Sequence, residues 1–141
     1  MNFMTESLAN SLLLMQRKCS VPIGVLDTLS TTARCYTTTT INSTDSTYPR
    51  TLTFLIIPTI STLILDKPID RSTIQIPRNF QLIDPRFHIP VLIDIVLSAR
   101  STLASLCVGQ IKLNYSKNPD LRLQKTRFEW VIGGAQSSIQ R

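Results

Sequence analysis

The stretch TLTFLIIP, Thr51 to Pro58, decides the fold class. Leu52, Phe54, Leu55, Ile56 and Ile57 make it almost continuously apolar, and Pro58 ends it before it reaches helical length. A run this short and this apolar reads as a strand covered on both faces, and so as a central one. Its sequel, TISTLIL from Thr59 to Leu65, reads as a second short strand. Taken together the two runs are broken by Pro58 and several hydroxyls and fall short of the roughly 20 apolar residues of a membrane span.

Upstream, RCYTTTTINS (Arg34 to Ser43) is dense in β-formers and leads into a polar tip, NSTDSTYP. KCSVPIGVLD (Lys18 to Asp27) is a strand with a turn in it. Before it, Phe3, Met4, Leu8, Leu12 and Met15 recur near helical spacing, so residues 3–15 predict an amphipathic helix with Thr5 as its cap. Downstream, the prolines and aspartates of Asp66 to Pro90 predict an irregular traverse. VLIDIVL (Val91 to Leu97) is a further buried strand, and SARSTLASLC (Ser98 to Cys107) a short helix. VGQIKLNY and RFEWVIGG are strands joined by the polar turn SKNPD, and AQSSIQR is a frayed tail. The expectation is a mainly β chain, closed or sandwiched, with two short helices, forming one domain over residues 1–132 with a tail at 133–141.

The bulk numbers fit a folded domain. The chain has 141 residues, 43% hydrophobic and 17% charged, which places it among globular rather than disordered sequences. Net charge is +6, yet the basic residues are scattered singly. Their densest group, Arg122, Lys125 and Arg127, reads as a solvated strand face, which argues against a nucleic-acid partner. Phe128 and Trp130, alternating with Val131, read as core. Cys19, Cys35 and Cys107 form no Cys-x-x-Cys pair, and His88 is the single histidine. That composition predicts reduced thiols, no metal and no cofactor. With no secretory signal in these residues, the expected location is cytoplasmic.

Chemistry has two candidate positions. Asp94 interrupts the apolar run VLIDIVL, where an ionised group needs hydrogen bonds or a partner. Simple alternation would turn it outward between Ile93 and Ile95; the alternative is a role in a site. Asp27-Thr28-Leu29 imitates the Asp-Thr/Ser-Gly turn of aspartic peptidases, but leucine stands where that turn needs glycine.

Several segments then fall into one pattern: Pro85 to Pro90, Ile93 to Ala99, Gly109 to Ile111 and Leu123 to Trp130. Their order and spacing resemble the retropepsin-like aspartic peptidase domain of BEL/Pao-type retrotransposon polyproteins. That domain carries Pro-x-Phe-His-x-Pro, Ile-Asp-Ile-Leu-Ile-Gly-Ala, Gly-Gln-Ile and Leu-Gln-x-Thr-x-Leu-Gly-Trp. NFMTESLAN, Asn2 to Asn10, is similar to the family's helix just after its catalytic Asp-Ser-Gly. The resemblance implies a closed acid-protease fold lacking its first strands, which would leave a sheet edge unpaired and lower solubility. It implies a homodimer that binds an extended peptide, with Asp94, Ser98 and Ala99 lining or supporting the cleft. It also puts the catalytic aspartate before Met1, so Asp27 is not that residue and no catalytic residue is assigned. Two further departures point to relaxed selection: Ser98 and Glu129 each occupy a position where the family has glycine, and a Cβ at Ser98 is expected to strain the backbone if φ is positive. A binding or pairing module without cleavage is the alternative function.

Overall fold

The structure, a computed structural model, describes residues 1–24, 31–63, 68–113 and 121–134. Asp27, the turn SKNPD and the tail AQSSIQR lie outside these. The described residues are mainly β and divide into two compact units. One comprises Met1–Ile41, Pro49–Ile64 and Val91–Thr102; the other comprises Asn42–Tyr48, Leu65–Pro90 and Leu103–Arg141.

The first unit is built around TLTFLIIP. Strand β1 is Asn2–Thr5, β2 Arg17–Ile23, β3 Thr31–Asn42 and β4 Pro49–Ile57. The run after Pro58 gives β5, Ile60–Leu63. VLIDIVL does not form one strand but two short ones, β6 (Leu92–Ile93) and β7 (Ile95–Val96). The main sheet has the order β2-β3-β4-β1-β7, which makes β4 its central strand. Helix α1 is Glu6–Ser11 and helix α2 Ala99–Ser105.

The beginning of the chain departs from the helical reading. Asn2 to Thr5 is a strand, parallel to β4 with Met4 opposite Ile56, and antiparallel to β7 with Met4 opposite Ile95. Helical spacing of Phe3, Met4 and Leu8 was a true feature of the sequence, but Phe3 and Met4 find strand partners on both edges, and that outweighs local periodicity. Met4 is 1% exposed and packs with Ala9, Phe54 and Ile56 in this unit's core. A strand therefore precedes the helix, and it fills the place between β4 and β7. None of the three sheets closes into a barrel among the described residues.

Helix α1 starts and stops for local reasons. Thr5 caps it, its hydroxyl accepting from the Leu8 N–H at 3.3 Å. At the other end the Leu13 N–H donates to Asn10 O and the Leu14 N–H to Ala9 O, which is a Schellman closure. Leu13 occupies the left-handed position, at φ 53°, and is 91% exposed. Leucine there strains the backbone and packs against little. Leu13→Gly is therefore expected to raise stability by about 0.5–1 kcal/mol, read as a higher urea midpoint with an unchanged slope.

The second unit carries strands β8 (Leu106–Lys112), β9 (Arg122–Thr126) and β10 (Trp130–Gly133), in the order β10-β9-β8. The strand expected from Arg127 to Gly134 thus begins only at Trp130; Arg127 to Glu129 form the turn from β9. The Thr126 hydroxyl makes that turn, accepting from the N–H groups of Phe128 and Glu129. Trp130 exchanges hydrogen bonds with Gln81 and Ile83, which ties the irregular traverse to the sheet. Leu123, fully buried, centres a core with Ile74, Leu82, Leu113 and Leu121. Gly109 sits at a register shift in β8 with φ 148°, and a Cβ on it would meet Lys125 Cβ at 3.2 Å. Both facts require glycine in the Gly-Gln-Ile segment.

Candidate functional site

Two of the segments on which the expected resemblance rests, NFMTESLAN and IDIVLSA, lie side by side in the first unit. Phe3 pairs with Val96 and Met4 with Ile95. Asp94 lies between β6 and β7 and is held by Thr5, the last residue of β1. The Thr5 N–H donates to Asp94 O at 3.0 Å, and the Thr5 hydroxyl donates to Asp94 Oδ1 at 2.7 Å. The same hydroxyl caps α1, so the carboxylate acts on the helix start through Thr5. Asp94 is exposed between half-buried Ile93 and Ile95, as alternation predicts. Thr5→Ala removes both the cap and the Asp94 bond. It should cost about 1–2 kcal/mol, and Asp94→Asn in the Thr5→Ala background should add little further loss.

Ser98 has a different position. Its N–H donates to Asn2 Oδ1 at 2.8 Å, while Asn2 Nδ2 donates to Thr53 O at 3.2 Å. Asn2, itself buried, thus ties β4 to the start of α2. The Ser98 hydroxyl accepts from the Ser101 N–H at 3.2 Å and donates to the Ser101 hydroxyl. Ser98 is the cap of α2 and has no positive φ, so the strain expected of a side chain at the family's glycine position is absent. Ala99 follows as the exposed first residue of the helix.

Ser98 borders a groove of about 430 Å³, with Asn2, Arg50, Leu52, Leu55 and Arg100 around it. Asp94 and Ala99 are not among the residues that border it. The reading of the sequence overlooked Arg50 and Arg100; the only signal for them was their charge beside apolar strands, and charge alone does not show which cations share a groove.

In the second unit the other departure, Glu129, is also used. Its Oε1 accepts from the Thr44 hydroxyl at 3.0 Å, and that hydroxyl accepts from Gln81 Nε2 at 3.1 Å. Tyr48 packs edge-on against Phe128 with Arg127 over its ring. Between Thr44 and Tyr48, Asp45 begins an Asp-Ser-Thr sequence that again lacks the glycine of a catalytic turn. Its carboxylate is closed on its own loop, accepting from the Ser43 hydroxyl and from the Thr47 N–H and hydroxyl.

The Ser43 hydroxyl, then the Thr47 groups, hold Asp45 below its ordinary pKa of 3.8. Because the folded value is depressed, its contribution to stability is present above pH 3.8 and is lost as pH falls through the lower folded value. A carboxyl-carbon NMR titration should give Asp45 a midpoint below 3.8, and Ser43→Ala should move it upward.

Among the described residues no group of three His, Cys, Asp or Glu side chains converges as a metal site, and no helix is long and apolar enough to cross a membrane. Compared with family models, curated proteins and solved structures, the chain matches none.

Proposed function

We propose that this chain is a retropepsin-like domain of the BEL/Pao type that binds extended peptide and does not itself cleave it. The observation that carries the reading is the pairing of Asn2–Thr5 with Ile95–Val96, which joins two segments some 90 residues apart that each resemble a part of the same site. A catalytic turn just ahead of Asn2 would lie beside Ser98, since Asn2 and Ser98 are hydrogen-bonded.

Absence of cleavage follows from the chemistry such a site needs. Two carboxylates must share one proton, so that one takes a proton from water while the other serves the leaving amine. Residues 1–141 contain no Asp-Ser-Gly or Asp-Thr-Gly to supply one per protomer. Asp94 is bonded to Thr5, and Asp45 is closed on its own loop. The binding reading is favoured over a decayed remnant because Ser98 caps α2 with no positive φ, a use of the side chain that glycine could not supply.

The test is cleavage of an unfolded polypeptide by this chain at mildly acidic pH, analysed for new termini. No cleavage is expected. Cleavage blocked by a transition-state inhibitor of aspartic peptidases would overturn the inactive assignment. Adding the in-frame residues encoded upstream of Met1 extends the test: an Asp-Ser-Gly or Asp-Thr-Gly there is expected to confer activity.

A further inference from the structure

We propose that the groove beside Ser98 selects extended peptides that carry acidic side chains, with Arg50 and Arg100 as the selecting residues. This rests on reading the groove as a peptide site, and it adds the chemical class of the ligand. Arg50 projects from β4 and Arg100 from the first turn of α2, so two separate elements bring a guanidinium to one groove. Neither guanidinium has a hydrogen-bond or ion-pair partner among the described residues. Arg50 is half-buried and Arg100 exposed, so both guanidinium groups are open to a ligand's carboxylate. No acidic side chain borders the groove.

The remaining surface fits a peptide rather than a nucleic acid. Leu52 and Leu55 give the groove apolar borders, and Ser98 and Ser101 border it as polar residues, a mixture suited to the side chains of an extended ligand. No aromatic ring borders the groove, whereas single-stranded nucleic acid is held by rings on which bases stack. An acidic side chain of the peptide would meet a guanidinium in a charge-assisted, two-pronged hydrogen bond, and an amide of the same shape would not.

The experiment is a fluorescence-anisotropy titration of the full chain with a short labelled peptide alternating Glu with Val and Leu. Its Gln counterpart and a labelled single-stranded RNA serve as comparisons. The Glu peptide is expected to bind roughly tenfold more tightly than the Gln peptide, and Arg50→Gln or Arg100→Gln should each weaken it about fivefold. Arg17→Gln, on exposed β2, should leave binding unchanged, and circular dichroism should show all three variants folded.

Equal binding of the Glu and Gln peptides would overturn the acidic selection while leaving the peptide site standing. Failure of both peptides would overturn the peptide site itself and the proposal with it. Equal loss in Arg17→Gln would reduce the effect to overall charge and overturn the assignment to the groove. Tighter binding of RNA that depends on Arg50 and Arg100 would replace the peptide as ligand.

Discussion

Phe54→Ala is expected to lower the stability of the protein by about 3–5 kcal/mol, a large part of the 5–15 kcal/mol of a typical domain. Phe54 is fully buried on the central strand, within the run TLTFLIIP that set the fold class. It packs in one cluster with Met4, Ala9 and Ile56, so truncation opens a cavity where β1, α1 and β4 meet. Backbone pairing on both sides of β4 limits how far the neighbours can collapse into that space. Urea unfolding followed by circular dichroism measures the loss. Leu103→Ala is the control: Leu103 is 68% exposed, and its truncation should change stability by no more than about 0.5 kcal/mol. A loss below about 1 kcal/mol for Phe54→Ala would mean that this cluster is not packed as described.

Leu123→Ala should cost about 2–5 kcal/mol for the corresponding reason in the second unit. Leu123 is 0% exposed on the middle strand of β10-β9-β8 and lies in the Leu-Gln-x-Thr segment. Around it Leu82, Leu113 and Leu121 are buried, and Trp130 packs against the same cluster. This cluster shares no residue with that of Phe54. Amide hydrogen exchange should therefore separate the two variants. Leu123→Ala should speed exchange most in β8 to β10, and Phe54→Ala most in β1 and β4. The same exchange pattern in both variants would contradict the assignment of these residues to separate cores.

Apolar runs were the legible part of the fold. TLTFLIIP needed only its composition and its closing proline to be placed at the centre of a sheet. The cap at Thr5 was legible too, because a hydroxyl before an acidic, apolar-periodic stretch has one common local use. What was not legible depends on partners far away in sequence. Helical spacing from Phe3 could not reveal that β4 and β7 would enclose Asn2 to Thr5, since those partners lie some 50 and 90 residues on. VLIDIVL looked like one strand because its side chains are uniformly apolar around Asp94. Its two halves pair with different strands, β6 with β5 and β7 with β1, and nothing in the local pattern marks that division.

The candidate site shows the same division. Ser98 could be singled out from a motif, but its engagement with Asn2 and Ser101 required the fold. Reading it as a strained replacement for glycine inverted its role: a serine hydroxyl at that position supplies a helix cap that glycine lacks. Glu129 likewise gains Thr44 as a donor from a turn some 85 residues earlier. Arg50 and Arg100 became visible only when two elements brought them to one groove.

The strand Asn2 to Thr5 sets the position of Ser98, Asp94 and the groove. Nuclear Overhauser spectra of the labelled protein measure it directly. Contacts between the backbone of Phe3 or Met4 and that of Ile95 or Val96, with slow amide exchange at these residues, are the predicted result. Sequential amide–amide contacts running unbroken from Phe3 into α1, with none to Ile95 or Val96, would show a continuous helix and contradict the account.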